Sequence, residues 1–504
     1  MIGKAQAHDG YINIYFTVVE PGKRWTNVMQ KHEIYCAGHL LEAAIAHYSL
    51  TEKTTFLDIM CRYMDHIDSV FGPEEGKKHG YPGHEELELS LLKLYAVRPD
   101  KKYVKLAQYF IEQRGHNNAE FYQKETRDRG EDPDKQHKNE GVTAWPDTSS
   151  YWYMQAEDHV RDLQKIRGHS VRAMYFLTAV QHLANISNDK TLDLAVQRLW
   201  RNMVDTKFYI HGGIGAIDEW EGFGEDYELP LKCYSETCAS VGILFLGRRM
   251  LQRKLEGEVA RVMERALYNN VLGGMSLDGR SFFYDQPLEA SGIKRSEWFS
   301  VSCCPPNVSR ILNELEDYLF TTTDSMVAVN FFIGAQYNRS GVRLQLTTEY
   351  PWKGKLSVSL YSDHPVAFAV RRPASKLDSS LEYTEKDGYL IYKARKWNDI
   401  LQLAWNTAPK IVLPNPKVDA IKGLLAIQRG PFVYAVEQMD SNVPIDTISI
   451  SRGASFEEKM TTINGVEVCA LHTLVDGHDI QFLPYFCWGN RHPGEKMQVY
   501  VKQK

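Results

Sequence analysis

TTFLDIMCRYMDHIDSVF, residues 54–71, carries the pattern that decides the fold of the first part of the chain. Its apolar residues Leu57, Met60, Met64 and Ile67 recur at intervals of three and four. Because an α-helix turns once every ~3.6 residues, this spacing places them on one face of a helix. The stretch therefore predicts an amphipathic helix that buries one side.

The same period continues on both sides of this stretch, from about residue 30 to 320, and strand-like alternation is scarce there. Mostly short Gly, Pro or charged connections separate the periodic stretches. The sequence predicts helices near 33–48, 54–71, 85–96, 101–114, 169–186, 190–206, 235–254, 257–274 and 307–320. Helical hairpins arranged in a ring would account for this organisation.

After about residue 321 the period changes to two, as in Val342, Leu344 and Leu346. Turn signals such as Lys386-Asp387-Gly388 separate these runs. The pattern predicts a mostly antiparallel β-sandwich region after the helical domain. We expect a helical domain over 1–320, a β-sandwich over 321–440 and a second small β region over 441–504, whose last strand returns to the first sandwich.

One segment, residues 116–157, fits neither period and is too long for an ordinary connector. Its first half contains the charged run RDRGEDPDKQHKNEG, which predicts a mobile surface loop. Its second half contains WPDTSSYWYMQAE, whose aromatic residues could border a substrate cleft.

Composition excludes several classes of function. The chain has 504 residues, 43% hydrophobic, with 59 basic and 64 acidic residues, so it lacks the basic excess that nucleic-acid binding requires. No apolar stretch approaches the length of a membrane span, and MIGKAQAHDG does not have the order of a secretory signal. We expect a cytoplasmic protein with no nucleic-acid or membrane partner, and with eight cysteines used as thiols or metal ligands rather than as a disulfide scaffold.

The vicinal cysteines in SVSCCPPNVSRIL are the most unusual local feature of the sequence. Pro305 disfavours helical geometry at Cys304, and the two prolines suit the start of the helix that follows. We therefore expect Cys303 and Cys304 at a helix N-terminus, where the positive end of the helix dipole lowers the pKa of a thiol.

A second cluster, in YSETCASVGIL, places Glu236 and Cys238 two residues apart. Residues at this spacing diverge on a helix, so the segment must be extended or turning if both are ligands, with a helix beginning just afterwards. Three thiolates and one carboxylate make a suitable tetrahedral set for zinc. The residues alone leave two alternatives open. In one the cysteines only pack in the core, and in the other Cys303 and Cys304 act as a redox pair that forms a vicinal disulfide.

Ordered motifs along nearly the whole chain resemble glycoside hydrolase family 127, the β-L-arabinofuranosidases. They include DGYINIYF, KHEIYCAGHLLEAAIAHY, FGPEEGKKHGYPGHEELELSLLKLY, RGHSVRAMYF, YIHGGIGAIDEWEGFGEDYELP, YSETCAS, SCCPPN, AIQRGPFVYAVEQMD and LPYFCWGNR. The resemblance implies an (α/α)6 helical barrel that carries the active site, followed by antiparallel β-sandwich domains. It also implies a retaining exo-glycosidase acting on arabinofuranose-containing oligosaccharides.

The resemblance assigns roles to individual residues. It implies a zinc ion held by Glu236, Cys238, Cys303 and Cys304, with Cys303 as the nucleophile. A thiolate that attacks the anomeric carbon would form a glycosyl thioether and preserve configuration after two displacements.

The family motif also implies that Glu221 is the acid that protonates the leaving oxygen. Its acidic neighbours Glu219, Glu225, Asp226 and Glu228 could equally form a solvated loop, and composition alone does not choose among them.

Three histidines match positions that contact sugar in the family, namely His32, His84 and His169. His39 lies on the same helical face as His32, and we expect it to pack instead.

Members of the family usually carry a further segment before the DGY motif, which begins here at Asp9. We expect one of three situations: the helical ring is incomplete, a subunit partner fills the gap, or the sequence is a truncated version. A homodimer, which the β-sandwich face could mediate, is also open. Two other functions stay open, a furanosidase for another rare plant cell-wall sugar and a non-catalytic carbohydrate-binding homologue stabilised by zinc.

Overall fold

A computed structural model describes residues 1–133, 151–372 and 381–504. By its internal contacts the chain forms two compact units. Unit 1 contains residues 1–205 and 217–223, and unit 2 contains residues 206–216 and 224–504. Part of the 116–157 segment, residues 134–150, lies outside the described residues.

Unit 1 is helical, and the helices predicted in it are present within a few residues of their expected ends. The predicted ones are α2 Glu33–Thr51, α3 Thr55–Val70, α4 Leu87–Val97, α5 Lys101–Gln113, α7 Ser170–Ser187 and α8 Lys190–Thr206. Two further α-helices in the described residues, α1 Ile2–Ala5 and α6 Glu120–Asp128, were not predicted. Helices adjacent in sequence pack in pairs, α2 with α3 and α4 with α5. The predicted amphipathic helix is α3, which buries Leu57, Met60, Met64 and Ile67.

Helix α7 lies at the centre of unit 1. Nearly every residue from Ser170 to Ala184 is buried, as expected of a helix that is surrounded by other elements. It packs against α4 and α5, and α4 also packs against α2. The N-terminal ends of α2, α4 and α7 follow the loops that carry His32, His84 and His169.

Helix α6 was not predicted from the sequence. Its residues, EFYQKETRD, have few apolar positions, so the helical period is weak. Glu125 explains why the segment is ordered, because its buried carboxylate accepts the backbone N–H groups of Val28 at 2.7 Å and Met29 at 3.2 Å. The interpretation of the charged half as a mobile loop is therefore wrong for residues 120–128.

Unit 2 begins with helices and continues as sheets. Its described α-helices are α9 Thr237–Arg253, α10 Gly257–Arg265, α11 Cys304–Asn313 and α12 Glu316–Leu319. A π-helix, Ala266–Val271, continues α10, so the helix predicted over 257–274 widens in its second half. A helix of the π type buries two consecutive asparagines there, Asn269 and Asn270.

Nineteen strands are present in the described part of the chain. They are β1 Glu289–Ala290, β2 Phe320–Thr323, β3 Met326–Val329, β4 Ala335–Arg339, β5 Val342–Thr348, β6 Lys355–Ser362, β7 Val366–Arg371, β8 Thr384–Lys386, β9 Tyr389–Arg395, β10 Asn398–Ala404, β11 Lys410–Val412, β12 Leu424–Arg429, β13 Phe432–Glu437, β14 Ser449–Ile450, β15 Glu457–Ile463, β16 Val466–Val475, β17 His478–Pro484, β18 Met497–Gln498 and β19 Val501–Gln503.

The strands form three sheets that are mostly antiparallel, as predicted. A four-stranded sheet has the order β10-β6-β5-β4, and a five-stranded sheet has the order β2-β3-β7-β9-β8. The third sheet combines β1 with β11–β19, so strands before and after residue 440 pair in it. The predicted domain boundaries at 320 and 440 stay predictions.

The four-stranded and five-stranded sheets share one hydrophobic core and form a sandwich. Leu344, Leu346, Val358 and Leu360 point into this core from β5 and β6, and their alternation with exposed residues is the period-two signal of the sequence. Within the described ranges, no helix combines the length and apolar character needed to cross a membrane.

Candidate active site

Unit 2 brings the four predicted metal ligands together. Cys304 begins α11 and Cys303 is its N-cap residue, with prolines in the first turn, which confirms the expected helix N-terminus. Cys304 is nevertheless helical, so the expectation that Pro305 disfavours this geometry there is wrong. Glu236 is the N-cap of α9 with ψ of 138°, and Cys238 is already helical. The expectation that this helix begins after Cys238 is therefore wrong, since the extended geometry at Glu236 alone suffices to bring both side chains to one place.

The donor atoms of this cysteine cluster (Glu236, Cys238, Cys303 and Cys304) lie within 4.8 Å of one another. The sulfur of Cys304 is 3.3 Å from that of Cys238 and 3.8 Å from that of Cys303. The Glu236 Oε1 atom is 3.4 Å from the Cys303 sulfur and 3.7 Å from the Cys304 sulfur. Four ligands at the usual bond lengths around a tetrahedral zinc would be about 3.3–3.8 Å apart. The donor set thus fits a metal ion of this kind.

The three thiols of the cysteine cluster differ in solvent exposure and in pKa. Cys238 and Cys304 are fully buried, whereas Cys303 is partly exposed. Contacts with the thiols of Cys238 and Cys304 hold the pKa of Cys303 well below its ordinary value, and the Tyr284 hydroxyl at 3.2 Å acts in the same direction. Burial raises the pKa of Cys238 and of Cys304 well above the ordinary value. The negative charge therefore concentrates on the one thiol that solvent can reach.

Neighbouring polar groups orient these donors. The Tyr234 hydroxyl donates to Glu236 Oε2 at 3.1 Å, which leaves Oε1 facing the thiols. The Asn307 amide donates to the Cys238 sulfur at 3.1 Å, one helical turn after the vicinal pair. Partners of this type fix the orientation of metal ligands and tune their basicity.

A buried hydrogen-bond network supports the start of α9. The Gln286 side-chain amide donates to Thr237 Oγ1 at 2.8 Å and to the Asn270 carbonyl oxygen at 2.6 Å. Asn270, in the π-helix, donates in turn to Ser235 Oγ at 3.0 Å. Thr237 also binds the backbone of Phe283 and Tyr284. The network therefore fixes Ser235 and Thr237, the two neighbours of Glu236. It also fixes the backbone of Tyr284, whose hydroxyl contacts Cys303.

In unit 1, His32 lies at the end of a loop held by buried carboxylates. It precedes α2 with a φ of 57°, a left-handed conformation that is unfavourable for a residue with a side chain. The Glu33 carboxylate accepts hydrogen bonds from the Tyr11 hydroxyl at 2.5 Å and from the Trp25 N–H at 2.8 Å. These bonds tie the DGY motif to the loop and hold His32 in its strained conformation.

His84 lies on a loop that a buried arginine anchors. The Arg114 guanidinium donates to the Pro82 carbonyl oxygen at 2.6 Å and pairs with Glu85 at 3.0 Å and Glu88 at 3.4 Å. All of these charged groups are essentially inaccessible to solvent. The carbonyl of Met29, in the His32 loop, leaves no room for a Cβ at Gly83 of this loop. Close backbone packing thus joins the two loops.

His169 is the N-cap residue of α7 and lies beside Glu221. Its Nδ1 atom accepts the backbone N–H groups of Val171 at 3.2 Å and Arg172 at 3.3 Å. Its Nε2 atom is 3.2 Å from Glu221 Oε2. Because Nδ1 is an acceptor, the proton of the neutral ring is on Nε2 and points toward the carboxylate.

The backbone fixes the opposite tautomer in the other two imidazoles. Nδ1 of His32 is 2.7 Å from the Gln30 carbonyl oxygen, and Nδ1 of His84 is 3.1 Å from that of Glu85, so both donate from Nδ1. Burial lowers the pKa of His32 to about 4 and the pKa of His84 well below its ordinary value. The histidine cluster (His32, His84, His169 and Glu221) therefore offers two neutral nitrogen acceptors and one N–H donor. His39 instead contacts Tyr35 and the buried Glu86, as expected of a packing residue.

Glu221 is held by its backbone. Its φ is 51°, and its carbonyl oxygen accepts both the N–H of Ser170 at 3.1 Å and the Ser170 hydroxyl at 3.0 Å. Of the neighbouring acidic residues, Asp226 pairs with Lys207 at 3.2 Å and Glu228 accepts the N–H of Glu225. Strained backbone that surrounding structure over-determines is common at functional sites.

Gly222 gives a test of this arrangement. A Cβ at this position would lie 2.0 Å from the Gly168 carbonyl oxygen, so Gly222→Ala must displace the backbone next to Glu221. If Glu221 is the acid that the family motif implies, we expect a loss of about 10²-fold in kcat/KM, because a displacement of about 1 Å at a reacting group has an effect of this size. Gly453→Ala, at a glycine with nothing within 4 Å, is the matched control. Wild-type activity in both variants, measured on the same substrate, would contradict the idea that the backbone at Gly222 positions Glu221.

Sequence reasoning missed several residues of these clusters. Asn307 and Tyr234 lie inside the SCCPPN and CYSETCAS stretches, and helical spacing from Cys303 could have identified Asn307. Arg114 and Tyr284 have no local signal, because each acts through residues distant in sequence.

Comparisons with known proteins show the family of this chain. Residues 1–317 match the catalytic domain of the β-L-arabinofuranosidases of family GH127, and residues 409–502 match the glycoside hydrolase family 127 C-terminal domain. The non-reducing end β-L-arabinofuranosidase of Bifidobacterium longum subsp. longum is 30% identical over 565 residues, which cover 100% of this chain and 84% of the relative.

Solved structures extend the comparison to the fold. A GH127 β-L-arabinofuranosidase from Geobacillus stearothermophilus T6 is 35% identical with a TM-score of 0.92, covering 100% of this chain and 85% of that one. A second GH127 β-arabinofuranosidase is 30% identical with a TM-score of 0.86, covering 100% of this chain and 83% of that one. The chain therefore belongs to glycoside hydrolase family 127 and is a glycoside hydrolase.

Proposed function

We propose that this protein is a retaining exo-glycosidase that releases terminal β-L-arabinofuranosyl groups, with Cys303 as nucleophile and Glu221 as acid and base. The observation that carries the proposal is the cysteine cluster, in which Cys303 alone combines solvent access with a lowered pKa. The activity of the relatives in the family supports the choice of sugar.

The donor set further supports zinc as the metal. Glu236, Cys238, Cys303 and Cys304 would hold it, because three sulfur ligands and one carboxylate favour zinc over magnesium or calcium. Bound zinc would keep the clustered thiols deprotonated at neutral pH and neutralise their mutual repulsion.

In the first step the Cys303 sulfur attacks the anomeric carbon, and the bond from that carbon to the leaving oxygen breaks. The Glu221 carboxyl gives its proton to this oxygen, so the leaving group departs as a neutral alcohol. The product on the protein is a glycosyl thioether of inverted configuration.

In the second step the Glu221 carboxylate takes a proton from water, and the water oxygen attacks the anomeric carbon. The carbon–sulfur bond breaks, and its electron pair returns to Cys303. Two inversions give a sugar with the original configuration.

The histidine cluster supports a role in sugar binding. Nε2 of His32 and of His84 would accept hydrogen bonds from furanose hydroxyls, and Nε2–H of His169 would orient the Glu221 carboxylate or a hydroxyl. The proposal includes the (α/α)6 arrangement of the helices, which the family resemblance implies, and a cytoplasmic location, which is expected from the sequence. Homodimer formation stays a prediction.

The test is hydrolysis of a chromogenic β-L-arabinofuranoside by the purified chain, supplied with zinc and a reducing agent. We expect turnover of the β-anomer, none of the α-L-anomer, and β-L-arabinose as the first product in a time-resolved NMR spectrum. Initial release of α-L-arabinose would refute the double displacement. A folded, zinc-loaded protein that releases a different sugar from a panel of plant furanosides would refute the assigned specificity.

A further inference from the structure

The outer face of the four-stranded sheet in unit 2 has an unusual composition. The side chains on this face alternate along each strand with those of the sandwich core, and the strand register aligns them in rows across the sheet. They are Gln336 and Asn338 on β4, Arg343, Gln345 and Thr347 on β5, Lys355, Ser357, Ser359 and Tyr361 on β6, and Asn398, Ile400, Gln402 and Ala404 on β10.

Among these outward-pointing residues, which form what we call the amide face, there is no carboxylate, and only two are charged, Arg343 and Lys355. Charged residues make up 24% of the chain and both signs are usually interspersed on exposed strands, so the face is poor in charge. Its polar groups are mainly side-chain amides and hydroxyls, which both donate and accept hydrogen bonds while staying neutral. Such a surface suits a neutral ligand rich in hydroxyl groups.

Tyr361 gives the amide face a flat apolar surface. The Arg343 guanidinium carbon lies 4.3 Å from the centre of the Tyr361 ring, and the two residues are directly opposite each other on β5 and β6. The tyrosine is 39% exposed. A ring held by a cation–π contact and still open to solvent can stack on a sugar ring with little loss of side-chain entropy.

A trough of about 490 Å³ runs along this face, lined by residues of all four strands. This volume lies within the ~300–1,000 Å³ range of small-ligand sites. Its single acidic lining residue, Asp399, pairs with Arg395 at 2.8 Å, so its charge is compensated outside the trough. The trough is shallow and open to solvent, and it combines neutral hydrogen-bonding groups with the exposed apolar surface of Tyr361 and Ile400.

We propose that the amide face is a second, non-catalytic binding site for a neutral glycan, which holds the polysaccharide that carries the enzyme's substrate groups. The choice of an arabinose-containing polymer rests on the proposed function. The scarcity of charge favours a neutral chain over an anionic polymer, and the polar rows favour a hydrated ligand over a second copy of this chain, whose buried interface would be more apolar.

The test is affinity electrophoresis of the full chain in native gels that contain branched arabinan, with polygalacturonate as the anionic comparison. We expect retardation by arabinan and none by polygalacturonate. Tyr361→Ala and the double variant Gln345→Ala/Asn398→Ala should weaken binding at least about 10-fold, the equivalent of one stacking or paired hydrogen-bond contact. Tyr383→Ala, at a tyrosine of similar exposure (43%) outside the amide face, is the matched control.

Three outcomes overturn the inference. They are the absence of retardation of the wild-type chain, equal weakening by Tyr361→Ala and Tyr383→Ala, and a dimer in light scattering that dissociates in Tyr361→Ala. Hydrolysis of a small chromogenic arabinofuranoside is measured in parallel and should be unchanged in all these variants. If the wild type does not hydrolyse the chromogenic substrate, the proposed function is refuted. If it hydrolyses the substrate but does not bind arabinan, only the amide-face site is refuted.

Discussion

Replacement of Cys303 by serine is expected to reduce kcat/KM for a β-L-arabinofuranoside by about 10⁴-fold or more, the usual cost of removing a nucleophile. A serine hydroxyl is a far weaker nucleophile at neutral pH than a thiolate, and the cysteine cluster stabilises a negative charge on sulfur. Cys36→Ser, the same change at an exposed cysteine in unit 1, should leave the activity unchanged.

Measurements of thermal unfolding and metal content show whether a variant loses activity because its nucleophile is missing or because it has unfolded or lost the metal. Cys303→Ser keeps a ligand atom of similar position, so we expect the variant to fold and to retain part of its metal. A folded Cys303→Ser variant with full activity would refute the assignment of the nucleophile. Mass spectrometry of the wild type, quenched during turnover, should find the sugar attached to the peptide that contains Cys303.

Replacement of Glu221 by glutamine is expected to lower kcat/KM about 10²- to 10⁴-fold, the range for a general acid. The loss should be largest for a methyl glycoside, whose leaving group requires a proton, and smallest for a dinitrophenyl glycoside, whose leaving group does not. The alkaline limb of the pH profile of kcat/KM, which reports loss of the acid's proton, should also disappear for the methyl glycoside.

Glu219→Gln, two residues away in the same acidic stretch, is the control for this substitution. If kcat/KM falls equally in both variants, or if the fall does not depend on the leaving group, Glu221 is not the general acid. Because His169 Nε2 points toward Glu221, the rotamer of the glutamine should change little, and the two variants should have similar melting temperatures.

Much of the fold could be predicted from the period of the apolar residues alone. The helical period located α2, α3, α5 and α8 because each buries one face against neighbours. The period-two pattern located β5 and β6 because one side of each strand faces the sandwich core. Helix α6 was missed because the hydrogen bonds that the buried Glu125 carboxylate accepts from the backbone of Val28 and Met29 order it more than apolar burial does.

The candidate site was less predictable, and the reason differs between its parts. The vicinal cysteines were visible because proline and thiol chemistry are local, so their helix start was predicted correctly. The grouping of Glu236 and Cys238 with them depends on tertiary packing. Residue chemistry offered it as one of several alternatives, and the family resemblance selected it. The choice of Glu221 among five acidic residues likewise had no local basis, and only the structure associates it with His169.

The path of the chain between residues 205 and 224 limits how the genes of such proteins can recombine in evolution. The chain leaves unit 1 after residue 205, returns for residues 217–223 and then leaves again, and Glu221 lies on that short return. A ribosome must therefore synthesise the start of unit 2 before unit 1 receives its last segment. Recombination after residue 205 would separate Glu221 from the histidines, and recombination after residue 223 would remove residues 206–216 from unit 2. No single boundary therefore exchanges either unit intact. We expect the two units to have been inherited together.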